Sequence, residues 1–299
     1  MIKKHRAFLK WAGGKFKLVD DLASYLPAGD RLVEPFVGAG SVFLNTDYPS
    51  YLLCDINQDL IELYQIVKHQ PEAYIAAAKA LFVDEMNQKE AYYQVRADFN
   101  KCRDPFQRSV YFLYLNRHGF NGLCRYNRKG GFNVPFGSYK KPYFPQAELE
   151  AFAEKSRKAT FTCQSYQQVF ANLPANSAVY CDPPYVPLSR TASFTSYAKN
   201  SFDLDDQAQL ANLAENCQSR GVSVVISNHD TTLTRKLYEK AKLTSIQVGR
   251  SISQKGATRG KVAELFALYA TSAQPSTTQL TSSSNNPTKI ITAKIPATK

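Results

Sequence analysis

Four short apolar runs in this chain each finish on an acidic or polar tip: Arg31-Leu-Val-Glu34, Tyr51-Leu-Leu-Cys-Asp55, Ala178-Val-Tyr-Cys-Asp182 and Val222-Ser-Val-Val-Ile-Ser227. Runs this short and this rich in Val, Leu, Ile and Tyr predict strands. Helical patterns follow at 203–219, closed by Gly221, and at 232–242. Strands alternating with helices predict an α/β fold with a doubly wound sheet. In such sheets ligands bind outside the carboxyl ends of the strands, which is where these tips fall.

Between Asp55 and Asp182 the alternation stops. Helical spacing marks 58–69, 72–82, 88–100 and 105–116, and an irregular stretch crowded with Gly, Asn and aromatics follows at 117–145. That is too long for a crossover connection, so 58–145 is expected to be an inserted helical domain ending in loops and a hairpin. The sheet domain is then 1–57 together with 146–270, and 271–299 is a tail. The tail holds twelve Ser or Thr and no acid or aromatic residue. It cannot bury enough apolar surface to offset chain entropy and is expected to be disordered.

The chain carries 37 Lys and Arg against 25 Asp and Glu, a formal net charge of +12, which favours a polyanionic partner. From 105 to 147 there is no acid, yet there are seven Lys or Arg and eleven Phe or Tyr. Basic and aromatic residues without acids suit a nucleic-acid groove, attracting phosphates and offering platforms for bases. Within this stretch Gly122-Leu-Cys-Arg-Tyr-Asn127, the turn Arg128-Lys-Gly-Gly131 and Phe132-Asn-Val-Pro-Phe136 predict a β-hairpin. Arg125 on it has the fork that reads guanine O6 and N7, and Leu123 and Pro135 are apolar groups suited to a thymine methyl. Arg250, Lys255, Arg259 and Lys261 form a second basic stretch suited to phosphates.

The six cysteines form no C-x-x-C pair and the four histidines show no ligand spacing, so no metal site is expected and free thiols fit a reducing compartment. No apolar run approaches the ~18 residues of a membrane span, and 1–17 has no apolar signal core. A cytoplasmic, nucleoid-associated protein without membrane contact, acting as a monomer, is expected.

Two motifs carry chemistry. Glu34-Pro-Phe-Val-Gly-Ala-Gly-Ser-Val-Phe-Leu-Asn45 follows a predicted strand and opens a helix, and Gly38 and Gly40 let a ligand approach the backbone closely. Phe43 stands where the dinucleotide fingerprint needs its third glycine, and Asp55 ends the next strand, placed to accept hydrogen bonds from ribose hydroxyls. A nucleoside cofactor without a pyrophosphate, S-adenosylmethionine, fits better than a nicotinamide dinucleotide. Asp182-Pro183-Pro184-Tyr185 follows a central strand. Its prolines remove backbone donors, leaving a carboxylate and free carbonyls as acceptors for the two N–H groups of an adenine amine. Tyr185 offers a stacking face for an extruded base, worth about 1–3 kcal/mol, against the few kcal/mol needed to flip it. A nicotinamide oxidoreductase is disfavoured by Phe43 and the basic insertion. A methyltransferase of RNA or protein glutamine often has Asn in place of Asp182. A catalytically silent DNA-binding module would have no need of an intact Asp182 and Tyr185. The absence of a Pro-Cys dipeptide argues against cytosine carbon-5 chemistry.

These motifs, with Phe8-Leu-Lys-Trp-Ala-Gly-Gly-Lys15, Cys54-Asp-Ile-Asn57, Asn121 to Asn127, Phe132 to Gly137, Lys141 to Pro145 and Ser227-Asn-His-Asp230, run collinearly from residue 8 to about 269. Over that length the chain resembles the Dam family of DNA adenine-N6 methyltransferases, in the motif order of its alpha class. The resemblance implies a Rossmann-like methyltransferase fold, S-adenosylmethionine as cofactor and double-stranded GATC sites as substrate. It assigns Trp11, Ala12, Gly13, Lys15, Glu34, Gly38, Gly40, Asp55 and Asp182 to the cofactor site, and Asp182, Pro183 and Tyr185 to catalysis. It gives Lys10 the second guanine, and Phe120 with Asn121 the space left by the flipped adenine. Arg117 and Asn127 join Leu123, Arg125 and Pro135 on the DNA face. His229 is expected to be a structural group rather than a general base.

Overall fold

The computed structural model describes residues 4–185, 202–249 and 261–271. Its strands are β1 (Arg31–Glu34), β2 (Ser50–Asp55), β3 (Ala159–Cys163), β4 (Ser177–Cys181), β5 (Ser223–His229), β6 (Lys242–Gly249) and β7 (Lys261–Tyr269). Around them lie α1 (Val19–Ala23), α2 (Ser41–Leu44), α3 (Gln58–His69), α4 (Pro71–Lys79) and α5 (Lys89–Lys101). They are followed by α6 (Pro105–His118), α7 (Gln146–Ser156), α8 (Tyr166–Ala171), α9 (Leu204–Ser219) and α10 (Thr232–Leu237). The strands make one sheet in the order β3-β2-β1-β4-β5-β7-β6. All its pairs are parallel except those of β7, which runs antiparallel to β5 and β6. This is the expected α/β, Rossmann-like sheet.

The order explains where a ligand can go. β1 and β4 are neighbours, yet β1 leads on to β2 on one side and β4 to β5 on the other. Their connections diverge and leave a crevice at the carboxyl ends. Glu34 closes β1 and Asp182 directly follows β4, so both tips face that crevice. Every residue of β4 is buried, as a central parallel strand covered on both faces must be.

The four predicted strands and the helices at 58–69 and 203–219 are present with near-identical bounds. Asp203 caps α9 by accepting from the amides of Asp205 and Asp206. The helix expected at 232–242 stops at Leu237, because Lys242 already opens β6. β3 buries only Ala159 and Phe161 of its five residues, and its two threonines hide it from a search for apolar runs. The expected hairpin is looser than a pair of strands. It has isolated antiparallel bridges at Tyr126–Phe132 and Gly119–Phe136, joined by a bond from Asn133 N to Arg125 O of 3.1 Å. Pro135, which has no N–H to give, helps keep the ladder from growing. The tail and Arg250, Lys255 and Arg259 lie outside the described residues.

One buried cluster runs from Leu32 and Leu53 of the sheet through Leu60 and Tyr64 of α3 to Tyr92 of α5 and Phe112 of α6. The loop segment that follows α6 is then pinned by polar contacts. Arg108 grips Asp59 with both arms, at 2.5 and 3.0 Å, and the Tyr126 hydroxyl donates to the same carboxylate at 2.5 Å. Asn116 accepts from Lys10 N at 2.9 Å and donates to Lys10 O at 2.8 Å and Gly122 O at 3.1 Å. Gly122 has φ +62°, and a Cβ there would lie 2.2 Å from the Lys10 Cβ. Gly122→Ala is therefore expected to destabilise the protein by roughly 2–4 kcal/mol through strain and overlap, read as a lowered urea midpoint.

Candidate active site and recognition face

Loops at the carboxyl ends of β1, β2, β4 and β5 enclose a cleft of about 830 Å³. The N-terminal loop lines it with Trp11, Ala12, Gly13 and Lys15, the tips of β1 and β2 with Glu34, Gly38 and Asp55, and the tip of β4 with Asp182, Pro183 and Tyr185. Gly40 stands just behind, at the N-terminal end of α2 with φ 70°. Gly38 has φ +46°, and the indole of Trp11 lies so close that a Cβ at Gly38 would meet its Nε1 at 2.9 Å. The glycine turn and the tryptophan loop therefore require each other. Tyr166 and Phe202, which belong to no sequence motif, also line the cleft, as do Phe36 and Ile56, which lie within motifs but carried no assigned role. Phe36 stacks on Tyr166 at 5.6 Å and meets Phe202 edge-on at 5.5 Å. Tyr166 opens α8, directly after the unpredicted β3, so nothing in the sequence pattern marks it as lying at a strand tip.

The acids at the strand tips sit in different surroundings. Glu34 is fully buried, which pushes its pKa up to about 8; the Phe43 amide serves it, while its Oε1 has no hydrogen-bond partner. Asp55 accepts from Gly38 N at 3.2 Å and Asn57 N at 3.0 Å. Burial raises its pKa and these amides oppose the rise. Asp182 pairs with the Lys15 ammonium at 2.7 Å and accepts from Ser227 Oγ at 3.2 Å. The Lys15 ammonium also donates to Gly13 O at 2.9 Å and stands 4.7 Å from the centre of the Tyr185 ring. The expectation of free carbonyls after Asp182 holds only in part, because Pro184 O accepts from Gln207 Nε2 at 2.7 Å. His229 lines the cleft and meets the Tyr185 ring edge-on at 4.8 Å.

The recognition residues divide into two groups. Phe120, Asn121, Arg125 and Pro135 are exposed, and Leu123 is half-buried. Arg125 Nε donates to Asn133 Oδ1 at 2.8 Å. Lys10 lies beside them, its ammonium 3.8 Å from the centre of the Tyr139 ring, with its pKa lowered to about 8 by burial and by the charge of Arg117. Arg117, in contrast, is buried, and its Nε donates to Tyr143 O at 3.0 Å. Asn127 uses its side-chain oxygen on Lys129 N and Gly131 N, at 2.9 and 3.0 Å. Both side chains are thus engaged within the segment, on which the resemblance placed them facing DNA.

The cleft at the switch point thus joins a glycine turn to an Asp-Pro-Pro-Tyr tip in one sheet, beside a segment rich in basic and aromatic residues. Comparison with known proteins gives the family. Residues 11–252 match the model of the D12 class N6 adenine-specific DNA methyltransferases. The chain is 62% identical over 269 residues to a DNA adenine methylase of Vibrio cholerae, covering 90% of this chain and 97% of that one. It is 62% identical over 268 residues to that of Escherichia coli K12, at 90% and 96% coverage. For the Serratia marcescens protein of the same name it is 57% over 270 residues, at 90% and 100%. The chain belongs to the D12 class of N6 adenine-specific DNA methyltransferases, and it is an adenine-specific DNA methyltransferase. No described helix is long and apolar enough to cross a membrane.

Glu34 yields a prediction with a definite sign. Its native pKa near 8 lies above the ordinary 4.5, so the native state holds a proton that the unfolded state has lost, and stability falls as pH rises from about 4.5 to about 8. In ligand-free protein, Glu34→Gln removes that loss. Its stability relative to the unsubstituted chain should climb across this window by up to about 5 kcal/mol, measured by denaturant titration at several pH values.

Proposed function

We propose that the enzyme takes its methyl group from S-adenosylmethionine and places it on N6 of adenine in duplex GATC sites, with the base turned out of the helix into the Asp182–Tyr185 tip. The observation that carries this reading is one cleft that holds both the glycine turn with Asp55 and the Asp182 carboxylate. The donor set suits such a ligand. Asp55 offers carboxylate oxygens where ribose hydroxyls would arrive, and the partnerless Glu34 Oε1 is an acceptor for an N–H group. Phe36, Ile56, Tyr166 and Phe202 provide apolar surface for a purine. Trp11, Ala12, Gly13 and Lys15 form the wall for the methionine end, with the indole face available to a sulfonium. Bound there, S-adenosylmethionine supplies a methyl group on a positively charged sulfur.

The chain's own residues do the rest. Asp182 and the carbonyl of Pro183 accept the two amine hydrogens of the adenine, which favours a tetrahedral nitrogen with its lone pair directed at the methyl carbon. Pro184 O is not part of that set, because Gln207 occupies it. The Tyr185 ring stacks on the base. A general base is not needed before transfer, since the alkylated nitrogen is cationic and loses its proton afterwards. On the recognition side, the exposed Arg125 reads one guanine and Lys10 the other, Leu123 and Pro135 touch the thymine methyl, and Phe120 with Asn121 fills the vacated stack. Arg117 and Asn127 hold that surface in shape. Residues 58–145 thus serve as the target-recognition part, and the +12 charge fits a protein that lives on the nucleoid.

Incubation with tritiated donor and duplexes differing at one tetranucleotide tests the whole reading. Label should appear as N6-methyladenine in GATC duplexes alone, and equal labelling of unrelated duplexes would refute the site assignment. Asp182→Ala should lower turnover at least ~10²-fold, the scale of an electrostatic catalytic contact, while leaving duplex affinity within a few-fold by fluorescence anisotropy. Arg125→Ala should cost about 1–3 kcal/mol of discrimination at one base pair. A uniform loss of affinity over all mutated sites would make Arg125 a phosphate contact instead.

A further inference from the structure

Glu264 belongs to none of the sequence motifs. It lies on β7, in register with His229 of β5, and its side chain is 12% exposed. Its Oε1 accepts from the Tyr185 hydroxyl at 2.6 Å and lies 3.7 Å from the Lys15 ammonium. Lys15 is itself paired with Asp182 at 2.7 Å. Among the described residues the cluster therefore contains two carboxylates and one ammonium, with the imidazole of His229 edge-on to Tyr185 at 4.8 Å, against the wall of the cleft proposed to hold the methionine end. Burial raises the Glu264 pKa, while the Lys15 charge and the Tyr185 hydroxyl oppose the rise.

We propose that Glu264 leaves the methyl-transfer site with one unneutralised negative charge, by which the enzyme prefers its cationic methyl donor to the demethylated product. This inference rests on the assignment of S-adenosylmethionine to the cleft. Donor and product share the ribose, base, carboxylate and ammonium groups and differ in the methyl group and the sulfonium charge. A fixed negative excess attracts the first more strongly than the second. Once the methyl group has left, that attraction ends and exchange of product for donor is favoured. Tyr185 binds the same oxygen, so Glu264 also sets the plane of the ring on which the base would stack.

The test is binding, without turnover. Trp11 is the chain's single tryptophan and lines the cleft, so its fluorescence reports occupancy directly. Glu264→Gln keeps a hydrogen-bond acceptor for Tyr185 and removes the charge. Its affinity for S-adenosylmethionine should fall about tenfold, and that for S-adenosylhomocysteine by less than about threefold, as expected of one partly screened charge. Equal loss for both ligands, a larger loss for the product, or no loss would overturn the inference. Misfolded protein weakens both equally, so the ratio, taken on samples of matched melting temperature, carries the result. If the unsubstituted chain answers to neither ligand, the cofactor reading falls and this inference with it. A normal response there with an unchanged ratio in E264Q overturns this inference alone.

Discussion

The Lys15 ammonium holds three distant pieces of chain together. It is 5% exposed, and an unpaired ammonium at such a depth would cost several kcal/mol. Its donors are met by Gly13 O and Asp182, with Glu264 a little farther off and the Tyr185 ring nearby. The N-terminal loop, the tip of β4 and strand β7 are thereby bound to one point. The sheet makes this possible. β7 runs against its neighbours, so its beginning, where Glu264 stands, lies at the carboxyl ends of the parallel strands. A parallel seventh strand would bring its far end there instead.

That point of charge contrasts with the tip of β1 in the same cleft. Among the described residues no cation stands beside Glu34, and its burial favours the protonated form, raising its pKa. Asp182 has Lys15 within 2.7 Å. Two acids on adjacent strands of one sheet are thus prepared for different tasks by what surrounds them. One is suited to meet a donor group of a ligand as a neutral or charged acceptor. The other is held against an ammonium at the tip of β4. Sequence motifs specify that both tips are acidic, and the packing decides how each behaves.

How much of this the chain announces can be stated element by element. The tips at Glu34, Asp55 and Asp182 are legible because parallel strands buried on both faces are nearly continuous apolar runs, and acids at their ends stand out. β3 and β6 are not, since strands with Thr, Ser and Gln on one face look like loops in a search for apolar runs. With them go the positions of Tyr166 and, on β7, Glu264. Glu264 interrupts the apolar run Lys261–Tyr269, and a lone acid there has meaning only once its neighbours across the sheet are known. Arg117 and Asn127 show the converse. The resemblance places both facing DNA, and Arg117 is enclosed beside Tyr143 while Asn127 closes its own turn. A basic or amide side chain can be used inside a segment as readily as on its surface.

The basic, aromatic loop segment and the strand tip at Asp55 also share one support. Asn57 follows the Asp55 tip by two residues, caps α3 by accepting from Leu60 N at 3.3 Å, and reaches the Cys124 sulfur at 3.4 Å. Asp59, at the start of the same helix, holds Tyr126 and Arg108. Arg125 lies between the two residues so anchored, and its guanidinium is steered by Asn133 across the loop. The start of α3 therefore fixes both the strand tip on one side and the backbone carrying Arg125 on the other. Loops of irregular backbone would otherwise lack rigidity. Here a capped helix end and a two-armed ion pair supply it, without a regular hairpin.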